Sequence, residues 1–131
     1  MFLVENVKMS WNFKNFKEEE FACQHCGEKG IKLELVEKLQ ELRDRDNKPI
    51  RVTSGYRCRK HPIEAVKDIP GSHYEGYAVD IACDRENAYE ILGLALELKF
   101  TGIGVNQKGN ARFLHLDISK DKKPRPTVWS Y

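Results

Sequence analysis

The sequence predicts an α+β domain in which a small antiparallel sheet carries helices packed on one face. Two segments repeat apolar residues at helical spacing, and several short segments alternate apolar and polar residues as half-buried strands do. The 131 residues show no internal repeat, no low-complexity tract and no linker rich in Pro, Gly or Ser, which suits one domain over 1–131.

Residues 1–15 read as an irregular or edge segment, and Phe16 to Phe21 as a short helical turn. A cysteine knuckle, Cys23-Gln-His-Cys26-Gly27, follows, with Gly27 and Gly30 punctuating its exit. From Lys32 to Arg45, Leu35, Leu39 and Leu42 recur at helical spacing beside Val36, and Asn47-Lys-Pro49 ends that helix. Ile50-Arg-Val-Thr53 alternates as a strand, and Ser54-Gly-Tyr-Arg57 is a turn. Residues 58–72 contain Pro62 and Pro70 without regular periodicity and read as a long loop, a feature that tends to be functional in a compact domain.

Tyr77 to Ala82 reads as a second strand, and Arg85 to Lys99 as a second helix opened by Asp84 as N-cap. Gly102-Ile-Gly-Val105 is a short strand, and Asn106 to Asn110 makes a hairpin-like turn. Arg112 to Ile118 alternates strictly: Phe113, His115 and Asp117 share one face, and Leu114, Leu116 and Ile118 the other.

Composition excludes more than it assigns. Basic residues number 22 and acidic ones 20, a net charge of +2, and no aromatic-basic stripe is present, which argues against nucleic acid. The basic residues cluster at Arg57 to His61 and Lys120 to Arg125, a pattern that suits an anionic polymer or plain solvated surface. Met1 to Phe16 lacks the apolar core of a secretory signal, and no run approaches the ~18 apolar residues of a membrane span. The expectation is a monomer made in the cytoplasm that reaches any external substrate only after release.

Two places carry chemistry. Asp80 lies between Val79 and Ile81 in a strand, and a carboxylate so placed faces water or finds a partner. His73 precedes it by seven residues, and Gly76 between them lets the backbone bend so that the two converge. His115 and Asp117 occupy the polar face of their strand. Two histidines and a carboxylate form a common catalytic zinc set, in which an open fourth position holds a water of lowered pKa. A surface histidine and a hydrogen-bonded His-x-Asp couple are the plain alternatives.

The segment Ser72-His73-Tyr-Glu-Gly76-Tyr-Ala78-Val-Asp80 resembles the S-x-H-x-x-G-x-A-x-D signature of the zinc D-alanyl-D-alanine carboxypeptidase family. These peptidoglycan peptidases, of phage or bacterial type, share a fold with the hedgehog signalling domain. Ser54-Gly-Tyr-Arg57 with His61, Gly102-Ile-Gly-Val105, Phe113-Leu-His115-Leu-Asp117 and the ending Trp129-Ser-Tyr131 resemble further landmarks in the same order, over roughly residues 14–131.

The resemblance implies a zinc peptidase fold, with His73, Asp80 and His115 as ligands of one catalytic zinc and Arg57 as the arginine that steadies a substrate oxygen. Asp117 is then either the general base or a carboxylate that orients a ligand histidine, with Glu75 and His61 as lesser candidates. The implied function is hydrolysis of a peptide bond in bacterial peptidoglycan stem peptides. D-Ala-D-Ala carboxypeptidase and L-Ala-D-Glu endopeptidase activities both fit, and so does a phage lysin. A noncatalytic zinc-containing binding module is the rival. Two positions depart from the pattern: Gly71 stands where the family has its serine, and Arg112 stands where some relatives carry an acidic base.

Four cysteines remain: Cys23, Cys26, Cys58 and Cys83. They suit a second, structural zinc, with His25 as an alternative ligand, or disulfides formed after release, or buried thiols.

Overall fold

The structure, a computed structural model, describes residues 11–120 and 123–131. The edge segment expected over 1–15 therefore lies outside the described residues up to position 10; residues 11–15 carry no helix or strand.

A 3-10 turn at Glu18–Phe21 leads into helix α1 (Leu33–Asp46) and strand β1 (Arg51–Ser54). Two single-turn helices, α2 (Pro62–Ala65) and α3 (Ser72–Glu75), precede β2 (Ala78–Ala82). Helix α4 (Arg85–Glu97), β3 (Gly102–Asn106), β4 (Phe113–Asp117) and β5 (Thr127–Ser130) complete the order. The five strands lie in the order β1-β2-β4-β3-β5. All neighbours pair antiparallel except β3 and β5, which run parallel. The chain is thus α+β, with a sheet that is mostly rather than wholly antiparallel.

Strand alternation sorts the two faces. Val52, Val79, Ile81, Ile103, Leu114 and Leu116 share one face and join the main core with Leu35, Leu39 and Leu42 of α1 and Ala88, Ile91 and Ala95 of α4. Burying each large aliphatic side chain contributes roughly 1.5–3 kcal/mol, so this face fixes the register of the sheet. Asp80, His115, Asp117, Gly102, Gly104 and Trp129 are left to the opposite face.

Helix ends follow local chemistry. Asn47 takes the left-handed conformation (φ 56°) and its N–H donates to Arg43 O at 2.9 Å, which closes α1 before Pro49. The second helix stops at Glu97, short of the expected Lys99. Lys99 turns left-handed (φ 68°), and Phe100 folds back into the core with its N–H on Ala95 O.

Two expectations need correction. The stretch 58–72 is not an unbroken loop: Pro62 starts α2, where its missing N–H costs nothing, and His61 Nδ1 caps the turn by accepting from Ile63 N at 3.1 Å. The C-terminal residues, expected only as an aromatic ending at Trp129-Ser-Tyr131, include the parallel edge strand Thr127–Ser130.

Candidate functional site

The site is built where β2 and β4 pair. Asp80 stands directly opposite His115 in the register, so both side chains rise from the same face at neighbouring positions. His73 reaches them from α3, whose end at Gly76 (φ 82°) turns the chain into β2. A Cβ at Gly76 would collide with Gly30 O, so this turn needs glycine twice over, for its dihedral and for its space.

One atom each of His73, Asp80 and His115 lies within 4.8 Å of the other two, and all three residues are buried. Asp80 Oδ1 is 3.3 Å from His73 Nε2 and 3.2 Å from His115 Nδ1. The outward nitrogens are already held. His73 Nδ1 bonds Gly55 O at 2.8 Å, and His115 Nε2 bonds Asp117 Oδ2 at 2.6 Å. Such bonds fix the tautomer and aim the inner nitrogen, the arrangement metal-ligating histidines use.

Asp117 is wholly buried and does not line the cleft. It accepts from His115, from Ser119 N at 3.1 Å, and from Arg125 through Nε (2.9 Å) and an Nη (2.8 Å). Arg125 in turn stacks on Trp129, and Trp129 packs on His115 with ring centroids 4.9 Å apart. The two glycines of β3 make this possible. A Cβ at Gly102 would overlap the Asp117 carboxylate, and one at Gly104 would sit 2.7 Å from the Trp129 indole.

Arg57 donates to Asp80 Oδ2 at 3.4 Å and pairs with Glu64 at 3.6 Å. Glu64, fully buried in α2, also accepts from Lys67 at 3.1 Å and from Gly71 N at 2.8 Å. No sequence signal marked Glu64: it falls in the aperiodic stretch, one acidic residue among 20.

Charge states follow from these contacts. Burial works against ionised Asp80, but the hydrogen bonds from His115 and His73 outweigh it and hold its pKa far below the carboxylate range. Asp117 is depressed likewise, by His115 and Arg125 against burial. Burial lowers His73 despite Asp80, whereas His115, flanked by both carboxylates, is raised against its burial. The donor set of two imidazoles and one anionic carboxylate, converging on one point, fits a zinc-class divalent cation.

Around these residues opens a cleft of about 450 Å³. Arg57, Lys67, Lys123 and Arg125 line it with Phe113, Trp129 and Tyr131, and Asp80 is the one carboxylate among its described lining residues. A family model described as Peptidase M15 matches residues 14–117, most of the chain. The chain belongs to the peptidase M15 family. It is therefore a zinc metallopeptidase, an enzyme that acts on a peptide-containing substrate. No curated protein matches it.

Other candidates of this M15 peptidase lie elsewhere. Glu75 is engaged by Ser119 Oγ at 2.7 Å and Lys123 at 3.3 Å, and it does not line the cleft. His61 caps α2, with its ring toward His25. Arg112 bonds Gly109 O at 2.9 Å, away from the cleft. Cys23, Cys26 and Cys58 converge within 4.8 Å, but Cys83 does not join them. Beyond the end of β2, the Cys83 thiol donates instead to Ile81 O at 3.7 Å. All four carry free thiols. Among the described residues no helix is long and apolar enough to cross a membrane.

Proposed function

We propose that this M15 peptidase hydrolyses a peptide bond in bacterial peptidoglycan stem peptides, with its catalytic zinc held by His73 Nε2, Asp80 and His115 Nδ1. The observation that carries the ligand assignment is the convergence of these three donors with both outer imidazole nitrogens already anchored. When bound, zinc supplies a water of lowered pKa and a Lewis acid for the scissile carbonyl.

The remaining tasks fall to the chain. Arg57, held between Asp80 and Glu64 beside the cleft, donates to the substrate oxygen on which negative charge develops. Of the two roles open to Asp117, the orienting one has the better support, because its oxygens are buried and engaged on the ring edge opposite Nδ1. Stem peptides carry free carboxylates, and a cleft walled by four cationic side chains and three aromatic ones suits them in charge and shape. The terminal D-Ala-D-Ala bond and an internal L-Ala-D-Glu bond both fit this cleft. A phage lysin that meets the wall after release is one setting that fits this reading.

Incubation with purified peptidoglycan and with synthetic stem pentapeptide tests the proposal. New amino termini or free D-alanine should appear with the wild type and not with His73→Ala. Retention of the variant on cell walls, with no hydrolysis by either protein, would overturn the proposed cleavage of stem peptides and favour a role in wall binding.

A further inference from the structure

We propose that Cys23, Cys26 and Cys58 form a second metal site, a structural one, that takes a soft divalent cation of the zinc class through three thiolates. Their Sγ atoms lie within 4.8 Å of one another, although Cys23 and Cys58 stand 35 residues apart. Zinc–sulfur bonds of about 2.3 Å place tetrahedral thiolates roughly 3.8 Å apart, so closure on a cation needs shifts of about 1 Å or less.

The backbone is shaped for this task. Gly27 N donates to Cys23 O at 2.7 Å and Cys23 N to Glu28 O at 2.9 Å, which folds Cys23 to Gly27 into a tight knuckle. Gly27 closes it at φ 79°, a dihedral that glycine adopts without strain. Cys58 N donates to Cys23 Sγ at 3.2 Å, a bond that favours sulfur as an anion. Cys23 and Cys58 are buried while Cys26 is exposed, so the cluster has a dry floor and an open side. That side faces a cleft lined by His25, Cys26, Glu28 and Cys58, which leaves the fourth position to a nearby side chain or to water. On binding, each thiol passes its proton to solvent, so three protons are released per cation.

None of the three cysteines lines the cleft of His73, Asp80 and His115, so the two sites are separate. They are mechanically close nonetheless. Cys58 follows Arg57 directly, and Gly55, three positions earlier, supplies the carbonyl that holds His73. Tyr56 N donates to Phe21 O at 2.9 Å, and a Cβ at Gly55 would stand 2.7 Å from the Phe21 backbone. A cation clamped by Cys23, Cys26 and Cys58 therefore staples the knuckle that follows the 3-10 turn to the loop that positions Arg57 and His73.

Cobalt(II) titration of the reduced, metal-free full chain tests the proposal. The wild type should bind two cobalt ions, and one should give a sulfur-to-cobalt charge-transfer band in the near ultraviolet. The band should persist in His73→Ala and in Cys83→Ser, and vanish in Cys26→Ser, where substitution at an exposed position leaves the circular dichroism unchanged. Absence of the band from the reduced wild type would overturn the proposal, as would its survival in both Cys26→Ser and Cys58→Ser. Failure of the proposed hydrolysis would leave this band untouched, so the two readings fail separately.

Discussion

Asp117 and His115 sit two residues apart on one strand, and the 2.6 Å bond from His115 Nε2 to Asp117 Oδ2 turns the other ring nitrogen toward Asp80. Arg125 locks the carboxylate from behind with two donors. The chain thus sets the orientation of His115 without help from a ligand.

Asp117→Asn should therefore weaken zinc affinity about 10–100-fold, the usual effect of losing a carboxylate behind a ligand imidazole. Hydrolysis should recover at saturating zinc. Competition with a chromogenic chelator measures the affinity. A collapse of kcat with affinity unchanged would instead make Asp117 the general base.

Arg57→Lys keeps the charge but loses the forked donors that reach Asp80 and Glu64. We expect kcat/KM to fall on the order of 10²-fold, the typical cost of losing one donor to developing negative charge, while zinc affinity holds. Steady-state kinetics on a stem peptide, beside a zinc titration, separates the two quantities.

Gly104→Val should destabilise the fold by roughly 1–3 kcal/mol through overpacking, because its first side-chain carbon already meets the Trp129 indole at 2.7 Å. Trp129 must then leave His115, so its fluorescence should shift along with the urea midpoint. An unchanged midpoint would show that the indole has room elsewhere.

Glu64 gives a pH prediction. Burial raises its pKa, but the Gly71 N–H, Lys67 and Arg57 together pull it below the ordinary value of 4.5. A carboxylate depressed on folding contributes stability above its unfolded pKa and loses it as pH falls through the folded one. Glu64→Gln should cost roughly 1–3 kcal/mol at neutral pH by leaving buried donors unmet, and the gap from wild type should narrow below about pH 4.5. Urea midpoints of both proteins from pH 7 to pH 3 check the sign.

Helices α1 and α4 and strands β1 to β4 were legible because each rests on local spacing, whereas the grouping of His73, Asp80 and His115 came from the family resemblance, since Asp80 and His115 stand 35 residues apart. Leu35, Leu39 and Leu42 mark a helix face, and Phe113, His115 and Asp117 a strand face. The supporting groups were not legible. Glu64 meets Arg57 and Gly71 only after α2 folds, and Arg125 meets Asp117 only once the C-terminal segment lays β5 beside β3. Gly71 lies seven residues from Glu64 and Asp117 eight from Arg125, but neither pair shares a helix or strand, so no period in the sequence records them. The glycines of Gly102-Ile-Gly-Val105 were visible as a pattern, but their purpose, room for Asp117 and Trp129, needed the register. The place of Cys83 likewise needed the structure, since spacing says nothing of which way a strand end turns.

The central claim is that His73, Asp80 and His115 hold the zinc that drives hydrolysis of stem peptides. The most direct test follows release of product from a synthetic stem pentapeptide by chelator-stripped protein as zinc is added back, for wild type and His73→Ala. Hydrolysis should be absent from stripped wild type, return with zinc, and stay absent from His73→Ala at every zinc concentration. Hydrolysis by the stripped protein, or by His73→Ala at the wild-type rate, would contradict the claim.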